Sequence, residues 1–444
     1  MKDGQAEEQP AAVPLAKQAG EKRARWAWVE PTVWTERMLT TLEQGVKGGV
    51  WFSLIDKVWS ERNLHAAFAK AKANKGTAGV DRWTIEKFEV ALAENLGRLS
   101  EELRTGTYTP RAVKRVWIPK PGSREQRPLG IPTVRDRVVQ GALRHVLEPI
   151  FERDFAPSSY GFRPGRGCKT ALREVDRLIK TGYHWVVDAD IKGYFDSIDH
   201  ALLLDRIGRK VSDGRIIDLL ERFLSQKVMD GLQAWTPTDG TPQGAVISPL
   251  LSNIYLDPLD HMMAAEGQRI VRYADDFVIL CRSQEEAERA LELTRQWMQE
   301  NKLQLHPVKT KIVDVEQPGG FDFLGYHFEQ GRRTPTRKSL KKLKDAVRST
   351  TGRSNGHSMN AIITNLNRTL KGWFEYFKHS HHKTFVPLDG WIRMRLRSIL
   401  RRRHGGRGRG HGLDHRRWPN AFFANQGLFS LVAAHGLACR SSRR

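Results

Sequence analysis

The spacing of apolar residues predicts an α+β fold, on two observations. Amphipathic runs with helical spacing alternate with short β-like runs through the first 330 residues, and beyond that point the chain turns basic and largely helical. Taken in order, residues 1–50 form a leader that carries few structure signals before 34–42, and 1–25 are expected to be disordered. From residue 50, Leu54, Val58, Leu64, Ala67 and Phe68 fall near helical spacing until Lys75-Gly76-Thr77-Ala78-Gly79 breaks it. A second amphipathic run covers 84–103. A β-like piece at 112–118 closes on Pro119-Lys120-Pro121-Gly122, and a helix is expected over 134–151. Residues 170–181 read as helix, 184–190 as strand and 200–226 as helix. Two apolar runs, 270–273 and 277–281, flank Ala274-Asp275-Asp276, the layout of a tight β-hairpin with acids at its tip. A helix over 285–301 follows, 332–337 reads as a boundary, and the Gly/Arg-rich stretch 401–412 as a flexible basic linker.

With 444 residues, 39% apolar and 28% charged, the chain is long enough for two or three folded units. No stretch approaches the ~18 apolar residues of a membrane span, and no secretory or transit signal opens it, so no membrane partner and a cytoplasmic location are expected. Cys168, Cys281 and Cys439 lie far apart without a C-x-x-C pair, which argues against a disulfide framework or a Cys-rich zinc module. The net charge of +23 is unevenly placed: residues 331–444 hold 26 Lys+Arg against 4 Asp+Glu, while residues 1–330 are nearly balanced. So one-sided an excess repels itself unless a polyanion neutralises it, which points to nucleic acid. Trp373, Phe374, Tyr376, Phe377, Phe385, Trp391 and Trp418 in the same segment argue against a mere solubilising tail.

Three carboxylates are placed to converge. Asp190 ends the strand at 184–190, and Asp275 and Asp276 sit at the hairpin tip. If the hairpin lies beside that strand, the three form an oxygen-only anionic cluster that calls for a hard dication such as Mg2+. An Asp-Asp pair alone at a turn is more often a hairpin device, and Asp188 and Asp199 are read as surface or capping acids.

The surroundings change the weight of that pair. Tyr273-Ala274-Asp275-Asp276 and Asp190-Ile191-Lys192-Gly193-Tyr194-Phe195-Asp196 stand in order with Ile118-Pro119-Lys120-Pro121-Gly122, Arg127-Pro128-Leu129-Gly130-Ile131-Pro132, Tyr160-Gly161-Phe162-Arg163-Pro164-Gly165-Arg166-Gly167, Pro242-Gln243-Gly244, Lys309-Thr310-Lys311 and Phe323-Leu324-Gly325-Tyr326. From about residue 51 to 326 this series resembles the group II intron-encoded reverse transcriptases. Leu366-Asn367-Arg368-Thr369-Leu370-Lys371-Gly372-Trp373 and Arg416-Arg417-Trp418-Pro419-Asn420 resemble their maturase region.

The resemblance implies a right-hand polymerase: fingers and palm over 51–330, a helical thumb and maturase region over 331–400, and a basic nucleic-acid-binding region over 401–444. It implies an RNA-directed DNA polymerase that also binds its structured intron RNA to assist splicing, and that supports intron mobility by target-primed reverse transcription. The partners implied are that RNA, an RNA template with a DNA primer, target DNA and dNTPs. Asp190, Asp275 and Asp276, with the Ile191 carbonyl, would hold two Mg2+ ions, for which Mn2+ can substitute. Phe195 would lie under the incoming sugar and reject a 2′-hydroxyl, which disfavours an RNA-dependent RNA polymerase. Gln243 would lie against the nascent base pair, and Lys309 near the pyrophosphate. Lys120 and Arg127 would face the triphosphate or remain solvated loop cations. Arg163, Arg166, Lys371, Trp373, Arg393, Arg397, Arg401 and Arg402 would contact RNA. His379, His381 and His382 are read as a solvated cluster facing RNA rather than a metal site. Without the cysteine pairs of some relatives, no endonuclease activity is expected. A maturase with a relic polymerase site, and a reverse transcriptase serving another system, are the alternatives.

Overall fold

A computed structural model describes residues 24–46, 48–119 and 126–441. The expectations for residues 1–23 and for Lys120 fall outside the described residues. The strands are β1 (Val113–Pro119), β2 (Gln126–Ile131), β3 (Trp185–Asp190), β4 (Val228–Asp230), β5 (Gln233–Trp235), β6 (Arg269–Tyr273), β7 (Asp276–Cys281), β8 (Lys311–Asp314), β9 (Phe321–Phe323), β10 (Tyr326–Glu329) and β11 (Arg332–Pro335). They pair into three sheets, in the orders β2-β1-β4-β5, β6-β7-β3-β8 and β11-β10-β9.

The helical runs contain breaks that periodicity conceals. The run from residue 54 is two helices, Ile55–Trp59 and Glu61–Ala73, and the run over 200–226 is His200–Gly208 and Gly214–Leu224. Asp213 explains the second break, because its Oδ1 caps the new helix by accepting the Arg215 and Ile216 amides. Its Oδ2 accepts the Leu54 and Ile55 amides at 2.6 and 2.9 Å, so one carboxylate fixes two helix starts distant in sequence. Helix Val134–Glu152 is buried on almost every side. Its fully buried Asp136 is tolerated because the Thr133 and Tyr108 hydroxyls donate to it at 2.7 and 2.6 Å.

The sheet that matters for the site, β6-β7-β3-β8, is covered on both faces, as its unbroken apolar core strands require. Val187, Ala189, Phe277 and Ile279 face the main core with helices Ser248–Ala265 and Gln284–Glu300. Val186, Val278 and Leu280 face a second core with helix Cys168–Lys180 and strands β9 and β10.

Three expectations are corrected here. Residues 26–42, assigned to a leader over 1–50, belong to the main core: Trp26, Val33, Trp34, Leu39 and Leu42 are buried in it, and Trp34 Nε1 donates to the His145 carbonyl at 2.8 Å. The 401–412 stretch is a folded return rather than a flexible linker. Gly410 is buried with its amide on Ser398 Oγ at 3.2 Å, and Arg401 Nε donates to the Arg407 carbonyl at 2.7 Å. Nor do residues beyond 400 stand apart. Trp418, Phe423 and Leu431 insert into the core formed by helices Arg337–Thr350, Met359–Phe377 and Phe385–Arg403. Buried Asp389 caps the start of the last helix, accepting from the Leu431 amide at 3.0 Å and Ser430 Oγ at 2.7 Å. Among the described residues no helix is long and apolar enough to cross a membrane.

Candidate active site

Strand pairing brings the three acids together. β3 and β7 are antiparallel with Asp190 directly opposite Asp276, and β6 and β7 close through Tyr273 opposite Asp276, which leaves Ala274 and Asp275 in the turn. Directly paired residues share a face, so Asp190 and Asp276 project to the same side. Burial, then Asp188, Asp275 and Asp190, push the Asp276 carboxyl up to about 7, and the Leu324 amide opposes the shift. Burial pushes Asp275 up as well, with Asp190 adding to it and Arg272 opposing. Lys309 Nζ lies 2.6 Å from Asp190 Oδ2 in an exposed pair, which is readily exchanged. The Ile191 bridge to Leu305 is closed by Lys192 N to Gln304 O and His306 N to Asp190 O, so neither bond uses the Ile191 carbonyl.

The donor set is all oxygen and its negative charge is under-compensated, which suits a hard divalent cation. Among the described residues no three acid, histidine or cysteine side chains already stand as a metal-holding group. Asp190 would have to leave Lys309 for the acids to act together.

Asp188 was read as a surface or capping acid, and the structure corrects this. It lies two residues before Asp190 on the same strand face, and its carboxyl is pushed up to about 6, by burial first, against Lys311, with Asp322 and Asp190 adding. The period of two was the available signal. Asp199 does cap, accepting the Leu202 amide at 2.9 Å.

What aims the hairpin tip was not anticipated. Arg272 is fully buried and makes a bidentate pair with fully buried Asp260, while its Nη1 donates to Asn253 Oδ1 at 3.1 Å and to the Ala274 carbonyl at 2.9 Å. Ala274 sits at φ 59°, a left-handed conformation that disfavours a side chain, and the arginine holds its carbonyl in place. Behind the turn, Tyr160 N donates to Arg272 O at 2.8 Å, and a Cβ at Gly161 would overlap the Ala274 backbone nitrogen. No local spacing signals this network, because its partners lie on different elements.

The expected substrate side chains are drawn into one unit by backbone bonds. Thr241 N donates to Phe195 O at 2.7 Å, and Gly130 N to Gln243 O at 2.6 Å. Gly244, at φ 106°, lets the Pro242-Gln243-Gly244 turn sit against β2, the strand that carries exposed Arg127. Phe195 is half-buried, edge-on to Tyr194 at 5.3 Å.

Several expected RNA contacts face inward instead. Arg163 is buried, paired bidentately with Glu152 and donating to the Ala156 and Ser159 carbonyls. Arg397 is buried, with Nε on Trp418 O at 2.9 Å and Nη2 on Asn420 Oδ1 at 2.7 Å. Trp373 packs 4.8 Å from Phe377 at the junction of two cores. Arg166 bonds Pro157 O at 2.6 Å, Arg393 leans on Asp389 at 3.9 Å, and Arg401 pairs with Asp414 at 2.7 Å. Arg163 and Arg397 are drawn inward because folding left buried acceptors that their guanidinium groups satisfy, whereas Arg166, Arg393 and Arg401 stay partly exposed. Lys371 and Arg402 are exposed as expected. A basic cluster not foreseen places the Arg348 and Arg395 guanidiniums 5.8 and 5.6 Å from the Trp391 ring centre, with exposed Arg353 close enough to Arg395 to repel it.

Two family models match the chain. Residues 118–328 match the family described as reverse transcriptase (RNA-dependent DNA polymerase), and residues 340–418 match the group II intron maturase-specific domain. The group II intron-encoded protein LtrA of Lactococcus lactis subsp. cremoris is 41% identical over 198 residues, 44% of this chain and 32% of that protein. The chain therefore matches only about a third of LtrA's length. Protein YkfC of Escherichia coli (strain K12) is 32% identical over 351 residues, 70% of this chain and 87% of that protein. Among solved structures, a partial Cas6-RT-Cas1--Cas2 complex superposes at a TM-score of 0.37, with 27% identity, over 56% of this chain and 41% of that one. With both domain matches and a relative covered over most of its length, the chain belongs to the group II intron-encoded reverse transcriptase and maturase family.

Proposed function

We propose that this protein is an RNA-directed DNA polymerase that also binds its intron RNA to assist splicing and primes DNA synthesis at a target DNA site. The observation that carries the polymerase reading is the register that sets Asp190 opposite Asp276 with Asp275 in the adjoining turn. Asp190, Asp275 and Asp276, with the Ile191 carbonyl, would hold Mg2+ or Mn2+. Two such ions would make a primer 3′-hydroxyl a better nucleophile and neutralise the departing pyrophosphate.

The remaining roles belong to the chain's own groups. The primer 3′-hydroxyl gives up its proton to solvent, and its oxygen bonds to the α-phosphorus of the dNTP as the α–β bridging bond breaks. Lys309, released from Asp190, supplies a proton to the pyrophosphate oxygen. The Phe195 ring fills the space a 2′-hydroxyl would need, and Gln243 lies against the nascent pair. Arg127 and Lys120 offer cations to the triphosphate. Intron RNA is held by the basic C-terminal helices. Lys371, Arg402, Arg348 and Arg353 are among the outward-facing cations, and the excess charge of the segment supports this.

The test is incorporation of labelled dTTP on an RNA template with a DNA primer, with Mg2+, with EDTA, and with Asp275→Ala. Incorporation by the wild type alone, lost in EDTA and in the variant, is expected. A wild-type protein that binds folded RNA tightly but incorporates nothing would leave a splicing cofactor with a relic site.

A further inference from the structure

Phe195 is carried on a short 3-10 turn, Tyr194–Asp196, which has little rigidity of its own. One flank of that turn is fixed. Tyr194 packs edge-on against Phe195, and its hydroxyl donates to the Ser252 carbonyl at 2.7 Å. The other flank is backbone: Thr241 N donates to Phe195 O at 2.7 Å, and a Cβ at Gly240, where φ is 87°, would lie 2.8 Å from Phe195 O and 2.9 Å from Asp196 Cα. An approach this close leaves no slack, so a shift of Gly240 passes directly to the turn that holds the ring.

Gly240 is held in its turn from two directions. Its amide donates to Ile198 O at 2.8 Å, and its carbonyl accepts from His200 Nε2 at 2.7 Å. A carbonyl can only accept, so the imidazole carries a proton on Nε2. The chain just before this point is solvent-facing, with Thr238 and Asp239 exposed, whereas Gly240 and Thr241 are buried. The buried Thr241 hydroxyl finds no partner among the described residues, so that side chain adds nothing to the hold. His200 opens helix His200–Gly208, whose start is capped by Asp199 and whose Leu203 and Ile207 lie in the main core. Its imidazole therefore ties an exposed loop to a rigid element at the place where the loop meets Phe195.

We propose that His200 is a positioning residue for sugar selection: by holding the Gly240 carbonyl it keeps the Phe195 ring against the nucleotide sugar, and without it the turn relaxes and ribonucleotides are admitted. The proposal rests on the polymerase reading, with Phe195 facing the sugar. A histidine that merely stabilised a loop would, when removed, slow the use of both kinds of nucleotide alike.

The experiment measures kcat/KM for dATP and for ATP on a uridine-containing RNA template with a DNA primer. Amide exchange over residues 237–242 is followed in parallel by mass spectrometry, without nucleotide. His200→Ala should lower the dATP/ATP ratio about tenfold, chiefly because ATP is used better, and His200→Leu, which fills the space without a donor, should do the same. His200→Gln, whose side-chain amide can donate to the carbonyl, should restore most of the ratio. Both variants that lack a donor should exchange the Gly240 and Thr241 amides faster than the wild type. In a Phe195→Ala background His200→Ala should change the ratio no further, because the ring it positions is gone. A wild type that selects dATP, with its ratio unchanged in both His200→Ala and His200→Leu, would overturn the proposal and leave the polymerase standing. So would a fall in ratio that persists in full without the Phe195 ring. A wild type that incorporates neither nucleotide would overturn both readings.

Discussion

Asp276 is held where its charge is disfavoured, and that leads to a prediction about stability as well as activity. Its folded carboxyl titrates at about 7 against an ordinary 3.8. Between those values the unfolded chain is ionised while the folded one keeps a proton, so stability falls as pH rises through the window, and the cost is complete above it. Asp276→Asn should therefore abolish incorporation while raising the melting temperature in EDTA at pH 8 by a few degrees, roughly 1–3 kcal/mol. A lower melting temperature would contradict this account of the site. His145 works in the opposite sense. It is buried, its Nδ1 bonds Asn63 Oδ1 at 2.8 Å, and burial, with Lys70 and Arg144, pushes its pKa from 6.5 down to about 3. Its folded pKa is depressed, so the stability it allows is whole above pH 6.5 and is lost as pH falls, at most about 1.4 kcal/mol per unit. Urea midpoints measured from pH 7 down to 4 should show this decline, and His145→Gln should flatten it.

At the scale of elements, the β6–β7 hairpin is defined by local sequence but aimed by a distant helix. The apolar runs 270–273 and 277–281 on either side of a turn predict a hairpin, and it is found. The pairing with Asp260 on helix Ser248–Ala265, which fixes the turn through Arg272, depends on two elements meeting. Arg272→Met leaves a buried carboxylate unpaired and should cost about 3–5 kcal/mol. The double variant Arg272→Met/Asp260→Leu should recover most of that stability in denaturant melts. Incorporation should remain low in the double variant, because the Ala274 carbonyl still lacks its donor. Recovery of activity along with stability would show that the arginine serves the fold alone. The split helices escape the sequence pattern for a related reason. Asp213 is a recognisable cap once the break is seen, but the apolar spacing on either side runs on as if no break existed.

For the whole molecule, the basic third is a folded surface, and its exposed cations only partly coincide with those the sequence suggested. If Arg348, Arg353 and Arg395 contact RNA phosphates, Arg348→Ala/Arg353→Ala should weaken intron RNA binding uniformly across sequences. The slope of log K against log salt should fall by about 1.5–2 in filter binding across a salt series. An unchanged slope would place the RNA elsewhere. The sequence by itself determined the α+β class, the acid pair at a hairpin tip, the strand that ends in Asp190 and the side of the chain that carries the charge. Those follow from periodicity, turn chemistry and composition, which are local or additive properties. Tertiary structure alone decided that Arg163, Arg397 and Trp373 turn inward. It also decided that residues 26–42 belong to the core. Whether a side chain faces solvent or fills a buried acceptor depends on what packs against it from elsewhere in the chain, and residue type carries no record of that neighbour.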